Sequence, residues 1–395
     1  MLEIGTSSSC NGCHACFSVC PVDAIAMQAD WEGFLRPSID TDKCILCEKC
    51  EKVCPILNPL IIENNLQEAY ACYNLDETIR LDSSSGGMFT LLAEKIIEKD
   101  GLVFGAIFDS SFNVVHSCTK SVEGLTAFRG SKYVQSNINT TFKECKKALK
   151  EDRWVLFSGT PCQIAGLLSF LEKPYEKLFC IDIICHGVPS PLLWEKYKNE
   201  KEAEFKSNVV RTSFRHKNYG WKMFSLLFAF TNNNEYSKTL KKDAYMQLFL
   251  HDLCLRHSCY DCKFKTVNRL SDITLADFWG IQNIAPEIDD DKGTSFLIIH
   301  SKKGKEFFAS LANVKEKKIE INDGIRFNPL MIKSCSKPKK RAVFFKYVKK
   351  HSVEELKKKF VKINIRKKIK SFIYKTLKAF IGDKGIQKIK KVLGK

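Results

Sequence analysis

Cys10-x2-Cys13-x2-Cys16-x3-Cys20-Pro21 and Cys44-x2-Cys47-x2-Cys50-x3-Cys54-Pro55 are the stretches that decide how this chain is read. They hold eight of its eighteen cysteines. Three cysteines at two-residue intervals wrap a tight loop around one metal centre and turn backbone N–H groups toward its sulfurs. The fourth, three residues on and followed by proline, has entered the next helical turn and points away. Zinc usually takes two separated cysteine pairs rather than triplets closed by Cys-Pro. Disulfides would require an oxidising compartment.

This spacing is that of the bacterial two-cluster ferredoxins, in which the fourth cysteine of each run ligates the other cluster. Cys10, Cys13, Cys16 and Cys54 are therefore expected to hold one [4Fe–4S] cluster, and Cys44, Cys47, Cys50 and Cys20 the second.

At 395 residues the chain is too long for a ferredoxin alone, and 44% apolar residues suffice for a further core. Residues 1–9 lack a basic segment followed by an apolar run, and no stretch approaches the roughly 18 apolar residues that span a bilayer. The expected location is a reducing cytoplasm. The net charge of +18 is concentrated at one end: residues 337–395 carry 22 Lys and Arg against three acidic residues, leaving the rest near neutrality. A nucleic-acid binder would spread basic charge over its body, so no nucleic-acid partner is expected. The runs Lys357-Lys-Lys359 and Arg366-Lys-Lys-Ile-Lys370 alternate with Phe360, Ile365, Ile369, Phe372, Ile373 and Leu377. This pattern suits a basic amphipathic helix on an anionic membrane surface, a solvated helix, or a dock for an acidic partner.

The middle of the chain alternates helix and strand. Residues 56–67 look like a linker. In Leu81-Asp-Ser-Ser-Ser-Gly-Gly-Met-Phe-Thr90, the serines are expected to cap a helix running to Asp100-Gly101, before a strand at 102–108. The Gly86-Gly87 pair would leave free N–H groups for a phosphate or a cofactor ring. A polar helix (140–150), a strand (154–158), a helix (164–171) and a strand (178–184) follow, which predicts βαβ units and a mainly parallel sheet. The two strands run into Gly159-Thr-Pro-Cys162 and Cys185-His-Gly-Val-Pro189. Ligands of such sheets bind beyond the carboxyl ends of the strands. A hairpin around Asn218-Tyr-Gly220, a helix at 243–251 and a strand at 296–300 complete the expected elements.

A second cysteine constellation, Cys254-x4-Cys259-x2-Cys262, gives five candidate ligands when joined by Cys162 and Cys185. The spacing is that of plant-type [2Fe–2S] centres, which take a distant fourth cysteine; zinc is the alternative. The expected set is Cys185, Cys254, Cys259 and Cys262, with Cys162 as the alternative to Cys185. Cys72, Cys118, Cys145, Cys180 and Cys335 read as free thiols, and His186 is the histidine expected in a site.

Together, Ser84-Ser-Gly-Gly-Met88, Arg129-Gly-Ser-Lys-Tyr133, Phe157-Ser-Gly-Thr-Pro-Cys-Gln163, Asp182-Ile-Ile-Cys-His-Gly187 and Ser271-Asp-Ile-Thr-Leu-Ala-Asp-Phe-Trp-Gly280 resemble the family of coenzyme F420 hydrogenase and dehydrogenase β-subunits. The Lys-rich stretch at 336–395 is expected from its own pattern to be a helical tail, whereas the resemblance, which spans residues 1 to 335, implies a ferredoxin domain at 1–60 and a flavin- and cluster-binding α/β domain at 68–335. It also implies FAD, a further cluster of the [4Fe–4S] type, and exchange of a hydride with F420. Ser84, Ser85, Gly86, Gly87, Ser131 and Lys132 would line the flavin, and Thr160, Pro161 and Gln163 would approach its ring. No residue is assigned as acid or base. A hydride donor gives two electrons where a cluster takes one, so the cofactor set reads as a two-electron to one-electron converter working with a redox partner protein. An electron-transfer subunit serving a partner enzyme is the competing reading. No G-x-G-x-x-G follows a strand, which disfavours nicotinamide.

Overall fold

The computed structural model describes residues 8–62 and 66–361. In the N-terminal unit the two cysteine runs fold alike. Each triplet enters a short helix, Ala15–Val19 or Lys49–Lys52, through a left-handed residue, His14 (φ 68°) or Glu48 (φ 57°). Between them β1 (Ile25–Ala29) and β2 (Leu35–Ile39) form an antiparallel hairpin in which Ile25 faces Ile39. The side chain of Asp30 accepts from the Glu32 and Phe34 N–H groups and so closes its turn.

The remaining described strands are β3 (Glu68–Asn74), β4 (Leu102–Phe108), β5 (Val114–Thr119), β6 (Val155–Gly159), β7 (Leu178–Ile183), β8 (Val209–His216), β9 (Ser225–Phe230), β10 (Glu235–Thr239), β11 (Ile273–Asp277), β12 (Ser295–Ile299) and β13 (Val314–Ile319). Eight of them form one sheet in the order β13-β3-β12-β11-β7-β6-β4-β5. Its four central strands, β11, β7, β6 and β4, run parallel, and antiparallel strands extend it on both sides. Both faces of the centre are covered. Val155 and Phe157 pack under the helices Thr141–Lys150 and Pro161–Leu171, whereas Leu156 faces Met88–Ile97 and Lys302–Ala309. That is why β6 reads as an unbroken apolar run. Strands β1, β2, β3, β5, β10, β11 and β13 lay outside the sequence expectations. All but β11 lie outside the parallel centre of the large sheet, and the four exposed positions of β13 leave no apolar alternation to detect.

The serines before Gly86 do not cap the following helix. Gly87, at φ 79°, is its N-cap, with no side-chain cap hydrogen bond. Ser85 Oγ instead donates to the Thr294 carbonyl at 2.8 Å.

A smaller antiparallel sheet, β10-β9-β8, packs with the helices Pro191–Phe205 and Ala244–Leu250 around an aromatic core that includes Trp194, Tyr197, Phe214, Phe228 and Tyr245. The helices Arg341–Val348 and Val353–Phe360 belong to this core through Phe344, Phe345, Val348, Leu356 and Phe360. Up to residue 361, then, the segment read as a basic tail is part of the folded body. The apolar face that Phe360 was expected to share with Ile365, Ile369, Phe372, Ile373 and Leu377 lies, beyond Phe360, outside the described residues. Fully buried Phe344 should lose about 3–5 kcal/mol of stability on Phe344→Ala, measured by denaturant unfolding. A loss under about 1 kcal/mol would make this segment peripheral after all.

Candidate redox centres and cofactor loops

The crossed arrangement of the two N-terminal runs is visible in their side chains. One cavity, of about 340 Å³, is lined by Cys20 together with Cys44, Cys47 and Cys50, and closed by Val22, Ala24, Ile25 and Ile39. Cys20 Sγ accepts the Ala24 N–H at 3.2 Å. Cys54, the last cysteine of the second run, lies instead beside Cys13 and Cys16, near enough to disfavour their ionisation. Burial pushes both thiols far above the ordinary thiol range, with neighbouring cysteines adding to the effect. Four cysteine sulfurs grouped in this way are the donor set that an iron–sulfur cluster requires.

The central cavity, of about 590 Å³, forms at the carboxyl ends of β6 and β7, where Gly159 lies opposite Asp182. The loop after β6 is rigidly built. Pro161 opens a helix whose capping box pairs the Thr160 N–H with Gln163 Oε1 at 2.9 Å, and Thr160 Oγ1 lies 3.1 Å from Cys162 Sγ. The loop after β7 carries Cys185 and His186 through Gly187, at φ 146°. Val188 N–H then donates to Cys259 Sγ at 3.4 Å. Cys162, Cys185, Cys259 and Cys262 all line this cavity, together with Thr160, Pro161 and Gln163. Burial raises the thiols of Cys162, Cys185 and Cys259, and at each the neighbouring cysteines add to the rise. The Lys265 ammonium, held by the Cys185 and Leu330 carbonyls, supplies opposing positive charge at Cys185.

Cys254 is not part of this group. It is fully buried in the aromatic core, and its carbonyl accepts the Ser190 N–H. After the helix Ala244–Leu250 the chain reverses at Asp252 (φ 59°) and drives Leu253–Leu255 inward, Leu255 pairing with Pro189. The local C-x4-C-x2-C spacing therefore does not form the centre. Both cysteines from the strand-end loops stand with Cys259 and Cys262, and Cys162 takes the position expected of Cys254.

The residues expected to line a flavin are divided between two neighbouring loops. Ser84 Oγ accepts from the Ser131 N–H at 2.6 Å, and Ser131 Oγ lies 2.9 Å away. The Lys132 ammonium is held by the Ala127 and Arg129 carbonyls, and burial lowers it to about 7. The backbone of Gly86 is fully engaged, its N–H on Ser295 Oγ and its carbonyl on Asn74 N–H, so no free N–H remains there. An added Cβ at Gly86 would stand 2.6 Å from the Cys72 carbonyl; the glycine is a close approach to the sheet. Segment 129–136 joins the two groups, since its far end, Ser136 Oγ, accepts from Gln163 Nε2 at 2.9 Å.

Three charged residues beside these loops escaped the sequence reading. Lys217 donates to the Ser85 carbonyl at 2.8 Å and is lowered to about 7 by burial and then by Arg215. Arg215 forms a two-point pair with Asp277 and reaches the Ser84 carbonyl. Asp277 sits in the quoted Ser271–Gly280 block, but Arg215 and Lys217 end a hairpin with no motif around them. His186 does line the central cavity, yet its ring pairs with Asp252 at 2.6 Å. Cys335 Sγ lies with them and contacts the His186 carbonyl at 2.9 Å.

Two stretches of the chain match known protein families. Residues 9–57 match the 4Fe-4S dicluster domain, and residues 152–324 match the C terminus of the coenzyme F420 hydrogenase/dehydrogenase beta subunit. The F subunit of the F(420)H(2) dehydrogenase of Methanosarcina mazei is 23% identical over 201 residues, 47% of this chain and 57% of that protein. The coenzyme F420-dependent sulfite reductase of Methanocaldococcus jannaschii is 26% identical over 198 residues, 48% of this chain and 30% of that protein. The match thus spans 57% of one curated relative and 30% of the other. A chain of the F420-reducing [NiFe] hydrogenase complex of Methanosarcina barkeri superposes with a TM-score of 0.44 at 16% identity, covering 76% of this chain and 94% of that one. The chain is thus similar to the coenzyme F420 hydrogenase/dehydrogenase beta subunit over residues 152–324 and to the 4Fe-4S dicluster domain over residues 9–57.

Proposed function

We propose that this chain is a flavin-containing converter that exchanges a hydride with coenzyme F420 and passes single electrons through a central cluster to the two N-terminal ones. The observation that carries the reading is the convergence of Cys162, Cys185, Cys259 and Cys262 with Thr160, Pro161 and Gln163 in one cavity that also reaches Asn11 and Gly12 of the first N-terminal loop. FAD, when bound, supplies the exchange between a two-electron donor and one-electron acceptors. The chain's own residues orient and shield. The capping box fixes Gln163 and aims Cys162, the Ser84–Ser131 contact ties the two cofactor loops together, and Lys265 and Arg269 bring positive charge to a centre that accumulates electrons. Half-buried Lys132 and Lys217, both lowered to about 7, offer cationic groups beside Ser84 and Ser85 for a phosphate-bearing cofactor. Both curated relatives are named for F420, which supports the choice of hydride carrier.

A redox partner protein fits the outer end of the relay. Cys47 is exposed there, and its neighbours Ile45 and Leu46 are 61% and 74% exposed, a surface suited to docking. This also favours, as a second reading, an electron-transfer subunit acting on a partner's substrate. Residues 362–395, with the amphipathic pattern described above, are proposed to bind anionic membrane surfaces. Among the described residues no helix is long and apolar enough to cross a membrane. Co-sedimentation with anionic but not neutral vesicles, lost on truncation after residue 361, is the expected result; equal sedimentation of both forms refutes it.

Anaerobic analysis should find about twelve iron atoms per chain. Cys162→Ser should lose about four of them, while Cys254→Ser keeps the full complement. The reverse pattern would return the centre to the local C-x4-C-x2-C set.

FAD-loaded protein should be bleached by reduced F420 at least about tenfold faster than by NADH or NADPH. Gly86→Val, which collides with the Cys72 carbonyl, should abolish flavin binding while the N-terminal clusters stay reducible by dithionite. Fast bleaching by NADH without a response to F420 would overturn the carrier and leave the converter. Absence of any bindable flavin would favour the electron-transfer subunit.

A further inference from the structure

Arg256 is completely buried between the central cavity and the first N-terminal cysteine loop. Its Nε donates to the Cys10 carbonyl at 2.8 Å, Nη1 to the Leu35 carbonyl at 3.0 Å, and Nη2 reaches Cys10 Sγ at 3.6 Å. The guanidinium also lies 5.6 Å from the centre of the Phe34 ring. Its backbone belongs to the central site: Arg256 N–H donates to Val188 O, and Arg256 O accepts from the N–H of Cys259. Gly12 makes room for it, because a Cβ there would stand 3.0 Å from Nη1.

Among the described residues no carboxylate pairs with this guanidinium. A buried cation without a counter-ion is strongly unfavourable, and the group it touches is a cysteine sulfur expected to bind iron. A cluster held by four thiolates is anionic and becomes more so on reduction, so it supplies the missing counter-charge. Conversely, a fixed cation that hydrogen-bonds to a ligand sulfur favours the reduced cluster. The cavity of the other N-terminal cluster is lined by Glu48 and Lys49 and by no arginine.

We propose that Arg256 sets the reduction potential of the cluster on Cys10, Cys13, Cys16 and Cys54, raising it above that of the cluster on Cys20, Cys44, Cys47 and Cys50. With clusters in place, this difference would favour one-electron reduction of the inner one, whether the electron came from the central centre or from the outer cluster, and would oppose its onward transfer to the outer cluster. No proton moves and no bond forms, since the guanidinium already carries the balancing charge. The proposal rests on the N-terminal cluster assignment and not on F420 as the carrier.

The test is an EPR redox titration of the full chain, prepared anaerobically with iron and sulfide counted, comparing wild type with Arg256→Met and Arg256→Lys. Cys54→Ser marks which signal belongs to the inner cluster. With iron unchanged, Arg256→Met should lower the midpoint of that signal alone, cutting its reduced-to-oxidised ratio at fixed poise about tenfold, equivalent to about 59 mV for one electron. Arg256→Lys keeps the charge but not the contact with Cys10 Sγ, and should give a smaller shift in the same direction. If Arg256→Met loses iron, Arg256→Lys decides alone. An unmoved midpoint with full iron, an equal shift of all clusters, or loss of iron in both variants would overturn the proposal, the last leaving Arg256 a structural clamp. Wild-type protein without N-terminal iron would refute the cluster assignment instead.

Discussion

The parallel ladder between β6 and β7 is the constraint on which the rest of this molecule depends. With Gly159 opposite Asp182, both strands end at the same level and release their loops at one edge of the sheet. Cys162 and Cys185 reach a common cavity for that reason alone, although 23 positions separate them in the chain. Parallel pairing demands cover on both faces, and the covering helix Pro161–Leu171 does more than shield. It begins at the capping box beside Cys162, and one turn later Gly166 lies against Cys13, where a Cβ would stand 2.9 Å from the sulfur. One helix therefore carries a cysteine of the central cavity and supports Cys13 of the first N-terminal run.

Buried charge ties the other units together. Arg341, in a helix of the C-terminal segment, makes a two-point pair with Glu32 in the N-terminal hairpin, at 2.7 and 2.5 Å. Both side chains are buried, so removing either one alone would strand a charge at a cost of about 3–5 kcal/mol. Such pairs contribute less to net stability than to geometry, since two apolar residues could replace them at little loss. Their value here is positional: Glu32 lies in the turn before Phe34, and Phe34 packs on both Phe345 and the Arg256 guanidinium. The C-terminal helix thereby holds the ferredoxin hairpin against the central loop.

Much of this was legible in the chain because it is written locally. The crossed pairing of the two Cys-Pro runs follows from one helical turn, and Cys20 and Cys54 stand where that turn sends them. Of the central strands, β4, β6 and β7 were legible as apolar runs because both of their faces are buried. The flanking strands were not: β13 shows solvent four exposed residues in a row. The basic segment misled for a different reason. Its lysines dominate the composition, whereas its contribution to the core rests on a few widely spaced apolar residues such as Phe344 and Leu356.

By itself the sequence determined the N-terminal cysteine sets, the alternation of helix and strand, and the strand-end position of the cofactor loops, because each depends on residues within a few positions of one another. Only the tertiary structure decided which cysteines share the central cavity. Spacing favoured Cys254, but the left-handed turn at Asp252 turns it into the aromatic core, while the parallel register of β6 and β7 brings in Cys162 from nearly a hundred residues away. The same holds for Arg256, Arg215 and Lys217. Nothing near them in the chain marks these cations, and their partners become neighbours only when the sheet, the hairpin and the cysteine loops have packed.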